Sequence, residues 1–188
     1  MRKEFIHKLN RFEQCVSERT YKKIAEVPFI GFVTKERLSL AEAETMPAKP
    51  WVVGTPWGCK FEYGWFFAEI VISEELNGKR VVFKNDMGEG VVFVNGDVYG
   101  ALDKEHSEIT LSRTAKVGEK YSIAYEVYAG HTTEPIETFQ HRVIQEDKDY
   151  TEFPENVFQK QVQNGEVGIF DDQVYALLMD FRTLNSLY

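Results

Sequence analysis

The sequence is poor in the residues that metal and redox chemistry need. Its 188 residues hold two cysteines, Cys15 and Cys59, and four histidines, His7, His106, His131 and His141. Two thiols outside any Cys-x-x-Cys pair build no disulfide framework. Catalytic zinc asks for about three closely placed ligands, usually including histidine. With so few, no metal site is expected within this chain. Also missing are a P-loop, a Gly-x-Gly-x-x-Gly turn after a strand, His-Glu-x-x-His and Gly-x-Ser-x-Gly. No apolar run approaches the roughly 18 residues that cross a bilayer, so no span is expected. The start, Met1-Arg-Lys-Glu-Phe-Ile-His-Lys8, lacks the apolar centre of a secretory signal. Together with reduced thiols, this predicts a cytoplasmic protein. Basic charge is scarce as well: 22 Lys and Arg against 30 Asp and Glu leave a net charge of −8. Nucleic acid and anionic membranes both ask for a cationic footprint, so neither is an expected partner.

What is present fits a globular domain. Hydrophobic residues make up 43% and charged residues 28%, close to the usual balance. A chain of this length is one domain, or one with appendages, and buries about two-thirds of its unfolded surface without a metal or disulfide staple. Residues 1–25 carry seven Lys and Arg against three Glu, so a short basic segment precedes an acidic body. It reads as the solvated face of a helix.

Phe5, Leu9, Phe12 and Val16 recur at helical spacing and predict an amphipathic helix over about residues 3–25, ended by Pro28. A short extended piece at Phe29–Val33 and a turn of helix with a linker at 39–50 follow. From Trp51 the period changes to 2. Phe66, Ala68, Ile70 and Ile72 alternate with Trp65, Phe67, Glu69 and Val71, and Tyr121, Ile123, Tyr125 and Val127 alternate with Ser122, Ala124, Glu126 and Tyr128. Arg80–Lys84 alternates similarly. Val91–Val94, Asn95-Gly96 and Asp97–Tyr99 form a hairpin signal with a type I′ turn. That turn pairs Val94 with Asp97, Phe93 with Val98 and Val92 with Tyr99. Phe93 and Val98 are assigned to the core, Asp97 and Tyr99 to the opposite face. Asp171-Asp172 caps a helix carrying Val174, Leu177, Leu178, Phe181 and Leu184. The fold class expected is mainly β, an antiparallel jelly-roll sandwich with an N-terminal amphipathic helix and a C-terminal helix. Residues 1–50 are expected to form a helical extension and linker, 51–150 the sandwich, and 151–188 a strand and helix leading towards a further domain.

Candidate functional residues are few. Asp103-Lys-Glu-His106 is the one short-range Asp/His pair. It would serve either as a polar rim for a sugar hydroxyl or a metal, or as a hydrogen bond that fixes the turn after the hairpin. Glu62, Glu69, Glu89, Asp97, Asp103 and Glu105 are abundant carboxylates, but no spacing selects the pair about 5–10 Å apart that glycoside hydrolysis uses. Trp57 and Trp51 serve equally well as sugar-stacking platforms or core, and Trp65 is read as core. Asp97 and Tyr99, with Asp103 and His106 nearby, make a candidate ligand face.

Four blocks occur in order: Trp65-Phe-Phe-Ala-Glu-Ile70, Gly78-Lys-Arg-Val-Val-Phe83, Gly88-Glu-Gly-Val-Val-Phe-Val-Asn-Gly96 and Tyr99-Gly-Ala-Leu-Asp-Lys-Glu-His106. Together they resemble the N-terminal domain of cytosolic-type α-mannosidases of glycoside hydrolase family 38, closely over residues 51–131. Tyr128-Ala-Gly-His131 is also similar to a family segment. The resemblance implies a galactose-binding-like jelly roll that is itself non-catalytic, followed in the family by a catalytic barrel holding a divalent metal such as zinc. No catalytic residue carries over to this sequence, and Phe67 stands where the family usually has Arg. Trp57, Asp97, Tyr99, Asp103, His106 and His131 remain as candidates for ligand or interdomain contact. The partners implied are the catalytic domain of the same polypeptide and mannose-containing glycans. A stand-alone carbohydrate-binding module is the alternative, and the Phe5 stripe leaves homo-oligomerisation open.

Overall fold

A computed structural model describes residues 2–130 and 157–187. Helix α1 (Arg2–Ser17) leads into strands β1 (Tyr21–Val27) and β2 (Ile30–Thr34), followed by the short helix α2 (Leu40–Ala43). Strands β3 (Lys49–Pro50), β4 (Pro56–Trp57), β5 (Tyr63–Val71), β6 (Val81–Lys84), β7 (Gly90–Val94), β8 (Asp97–Leu102), β9 (Glu108–Ser112) and β10 (Lys120–Tyr128) come next. The chain closes with β11 (Lys160–Gln161), β12 (Gly165–Phe170) and helix α3 (Asp172–Ser186). A four-stranded sheet runs β1-β12-β6-β9 and a six-stranded sheet runs β3-β2-β5-β10-β7-β8. All pairings within them are antiparallel.

The two sheets enclose one core. Val81, Phe83 and Val167 from the smaller sheet meet Phe66, Ile70, Val92, Ile123 and Tyr125 from the larger. Phe29 joins them, its ring 5.8 Å from Phe66 and 6.4 Å from Phe83. The period-2 alternation of β5 and β10 thus performs as read: Phe66, Ile70, Ile123, Tyr125 and Val127 are all buried inside. Gly64 is required by a close approach, since a Cβ there would lie 2.6 Å from the Trp57 ring.

The structure corrects several expectations. The N-terminal helix stops at Ser17, and Tyr21–Val27 is a strand. Its residues pair with β12, from Tyr21 opposite Phe170 to Val27 opposite Gly165, so tertiary pairing overrides a helical local pattern. The sandwich therefore begins at Tyr21 and not at residue 51. Strand β12 lies between β1 and β6, so the segment after residue 151 contributes a central strand as well as a helix.

The hairpin forms with Asn95 at φ 54° and Gly96 at φ 91°, both left-handed as a type I′ turn requires. Its register slips by one residue beyond Phe93, so Val92 faces Gly100 and Tyr99 is bulged out. The two faces are also reversed. Val92 and Val94 point into the core, whereas Val98 is 72% exposed and Phe93 packs outward against Trp65. Four consecutive apolar residues in β7 carry no alternation from which to read the face.

Helix α3 begins as expected: the Asp171 carboxylate accepts from the backbone N–H of Gln173 and Val174, each at 3.0 Å. It runs antiparallel to α1. The Asp171 N–H donates to the Thr20 carbonyl at 2.8 Å, the Phe12 and Phe181 rings lie 4.9 Å apart, and Arg182 pairs with Glu13 at 2.7 Å.

Candidate functional site

The residues singled out from sequence take separate structural jobs. Trp57 is 1% exposed, and its ring meets Phe66 edge-on at 5.0 Å. Its indole N–H is buried without a hydrogen-bond partner, so it acts as a large apolar filler and offers no platform for a sugar. Trp65 is fully buried in a second cluster on the outer side of the six-stranded sheet, with Phe32 and Ala43. Trp51 is partly buried against the main core. Tyr99, displaced sideways by the bulge, donates its hydroxyl to the Thr110 carbonyl. That bond ties β8 of one sheet to β9 of the other along the open side of the sandwich.

Asp103 and His106 form the turn-fixing arrangement. One Asp103 carboxylate oxygen accepts from the Glu105 N–H at 2.8 Å and from the His106 N–H at 2.5 Å. The His106 ring nitrogen lies 3.2 Å from the same carboxylate. The His106 backbone N–H, followed by its ring, holds the Asp103 carboxyl below the usual carboxylate range. Both side chains are open to water. Asp97 sits exposed at the start of β8, and Asp103 lies just past its end. Six residues of strand put them about 20 Å apart, so they do not converge on one ligand. His131 lies outside the described residues.

A different set of side chains does converge, and sequence reading missed it. On the outer side of the six-stranded sheet, Tyr63 of β5 stands directly opposite Tyr128 of β10, with ring centroids 5.1 Å apart. The Arg37 Nε donates to the Tyr63 hydroxyl at 3.0 Å. Glu126, two residues before Tyr128 and opposite Trp65, is partly buried. Burial raises its carboxyl pKa, and the Arg37 charge offsets part of that. Two phenols, a guanidinium and a carboxylate on one surface offer aromatic faces with donors and acceptors beside them. The one clue in the sequence was Glu126 standing on the same strand face as Tyr128. Arg37 lies 26 residues from Tyr63, and only folding brings it there.

Metal chemistry finds little here. Among the described residues no three of His, Cys, Asp and Glu come together as an ion would need. Cys15 and Cys59 are free thiols; burial first, and the Glu62 charge second, push the Cys59 thiol up, which opposes the reactive thiolate. Among the described residues no helix is long and apolar enough to cross a membrane.

Comparison with known proteins places this framework. Human α-mannosidase 2C1 is 28% identical over 159 residues, which cover 82% of this chain. The chain spans only 14% of that relative's length. Two bacterial β-glucuronidase structures share the fold. The one from Faecalibacterium prausnitzii has a TM-score of 0.53 at 9% identity, covering 82% of this chain and 32% of that protein. The one from Ruminococcus gnavus in complex with D-glucaro-δ-lactam has a TM-score of 0.51 at 12% identity, covering 81% and 29%. Residues 26–151 match the family described as the α-mannosidase jelly roll domain. These residues hold the whole six-stranded sheet, strands β6 and β9 of the smaller sheet and the second, outer cluster, and on that match the chain belongs to the α-mannosidase jelly roll domain family.

Proposed function

We propose that the chain is the accessory, non-catalytic domain of an α-mannosidase, working beside a catalytic domain of the same polypeptide. The observation that carries this reading is the family match over residues 26–151. The engagement of Trp57, Tyr99 and Asp103 in packing, sheet bridging and turn fixing supports it. In this reading the parent enzyme is of the family 38 type and hydrolyses α-mannosidic bonds in the cytoplasm. Its divalent metal, such as zinc, is held by the catalytic domain. The sandwich supplies a rigid body against which that domain packs. The test is a chromogenic α-mannoside assay on the purified 188-residue chain with added zinc. No turnover above buffer is expected; hydrolysis that scales with chain concentration overturns the reading.

One observation favours a second reading, a carbohydrate-binding module: the Arg37, Tyr63, Glu126 and Tyr128 cluster joins aromatic faces to polar groups, the make-up of sugar sites. Calorimetric titration with millimolar mannose oligosaccharides separates the two. A flat trace is expected for the accessory domain. Saturable heat that is lost in Tyr63→Ala establishes the module instead.

A further inference from the structure

The outer side of the six-stranded sheet is only partly covered by its own chain. The 38–43 segment packs over Phe32 and Trp65, and the β7–β8 hairpin continues the face to the edge of the sheet. There Val91 pairs with Ala101 and Phe93 with Val98. Val91 also stands opposite Glu126 and Phe93 opposite Ala124, so all four share the outward face. Val98 and Ala101 are exposed, while Val91 and Phe93 are half-buried. Strand β8 has a bulge but only one charged residue, Asp97, at the turn. By contrast β1, an edge of the other sheet, carries Lys22, Lys23 and Glu26, the charges that keep an edge strand alone in water. The Arg37, Tyr63, Glu126 and Tyr128 cluster borders this apolar block, because Glu126 lies in the same register row as Val91 and Ala101. The exposed Arg37 spends its Nε on the Tyr63 hydroxyl, which leaves its Nη groups for a partner. Tyrosines and an arginine beside a charge-poor apolar block have the composition that anchors protein interfaces.

We propose that this face, from Arg37 and Tyr63 across Val91 to Val98, docks the catalytic domain of the same polypeptide, through an apolar surface that offers a carboxylate to Arg37. The inference rests on the accessory-domain reading and names the surface which that reading needs. Two observations select this occupant. The first is length: the chain spans 14% of human α-mannosidase 2C1, so most of a parent of that size lies outside these residues and is large enough to cover the face. The second is the family match. Residues 26–151 contain the whole six-stranded sheet and the segment over it, but only β6 and β9 of the other sheet in full. The stretch that the family shares is therefore the one that builds this face.

The test uses the parent polypeptide, expressed whole, beside the 188-residue chain. Val98→Asp and Arg37→Glu both change exposed positions, so the 188-residue chain is expected to keep its urea midpoint in each. In the parent, each is expected to speed the thermal loss of α-mannosidase activity by about tenfold or more, as removal of an interface anchor does, and to speed release of the sandwich by protease. Lys22→Glu, on the charged edge strand β1, is expected to change neither. An active parent in which both variants inactivate and are cleaved at the original rates overturns the proposal and leaves the accessory-domain reading standing. A parent without α-mannosidase activity overturns that reading, and the docking with it. A dimer of the 188-residue chain that Val98→Asp dissolves gives the face to a second copy, and saturable heat from mannose oligosaccharides that Arg37→Glu abolishes gives it to a sugar; either result overturns the proposal.

Discussion

The two outward surfaces of the sandwich are built on opposite principles. Across the four-stranded sheet, one register row runs Glu26, Glu166, Lys84, Glu108. Lys23 bridges Glu26 at 3.1 Å and Glu166 at 2.8 Å, and the Lys84 ammonium lies 4.7 Å from the Tyr21 ring centroid. Across the six-stranded sheet, the corresponding row runs Ile30, Phe67, Ala124, Phe93, Val98. Trp65 stands in the adjacent row between Phe32 and Glu126. Its ring stacks on Phe67 at 6.2 Å and on Phe93 at 5.8 Å, under a lid made by Leu38, Leu40 and Ala43. One surface meets water with screened charges, and the other buries Trp65 at its centre beneath its own chain while Ile30 and Val98 at its ends stay exposed. Surface ion pairs contribute up to about 1 kcal/mol each, whereas a fully buried aromatic contributes several. The stability of the two surfaces therefore rests on unequal supports, and substitutions in each should separate them.

The largest effect is expected at Trp65. Trp65→Ala leaves a void under the 38–43 segment and should cost about 3–5 kcal/mol, read as a fall in the urea midpoint. It should also raise amide exchange over residues 38–46 more than over β12. Equal exchange in both regions would mean that the lid is not held by the aromatic cluster. Next comes the lid's own anchor. Ser39 and Glu42 form a capping box, the Ser39 Oγ accepting from the Glu42 N–H at 3.3 Å and the Glu42 carboxylate accepting from the Ser39 N–H at 2.7 Å. Ser39→Ala is expected to cost about 1 kcal/mol, and the loss should shrink in a Trp65→Ala background because the two act on one unit. On the ionic surface, Lys23→Ala removes contacts to both Glu26 and Glu166 at once, yet the expected loss is smaller than that of Ser39→Ala, because exposed ion pairs are screened by water. Denaturation in molar salt should erase most of that difference. A loss that persists in salt would place Lys23 in a packing role.

How much of this contrast could be read in advance depended on which residues alternate. In β5 and β10 the period of two made both strands legible, but it left the inward face open, because Trp65 and Phe67 on one face of β5 are as apolar as Phe66 and Ile70 on the other. The Asn95-Gly96 turn was legible because few residues tolerate left-handed backbone at two successive positions. The register of its hairpin was legible only to Phe93, since a bulge at Tyr99 leaves no mark in composition. Strand β1 was misread because it is an edge strand, with Lys22, Lys23 and Glu26 exposed; such charged edges are common and resemble a helix surface. The candidate ligand residues stand apart for a related reason. Asp97, Tyr99, Asp103 and His106 are close in sequence, but an extended strand separates its ends, while the cluster that does form joins residue 37 to residues 63, 126 and 128 across neighbouring elements.

The smallest effect expected is the most diagnostic, because it reverses sign. Glu126 brings a carboxylate into the apolar surface beside Trp65, and burial raises its pKa above the unfolded value, with Arg37 opposing. A raised acid pKa means that the folded chain binds the proton more tightly than the unfolded chain. The penalty of holding the charge is therefore in force above the folded pKa and is relieved as pH falls through it towards the unfolded value. Glu126→Gln removes that penalty. At pH 7–8 it should raise Tm by on the order of 1–2 °C, a modest gain because the side chain is still reached by water. Near pH 4 the variant and the parent chain should melt together. On the ionic surface the same experiment runs the other way. The Asn164 amide and then Lys23 hold the Glu26 carboxyl below its ordinary range, so its contribution is present at neutral pH and is lost as pH falls through the folded value. Glu26→Gln should therefore lower Tm at pH 7 and have no effect in acid. If Glu126→Gln instead destabilised at neutral pH, the attraction to Arg37 would outweigh burial. The outer side of the six-stranded sheet would then owe part of its stability to charge as well.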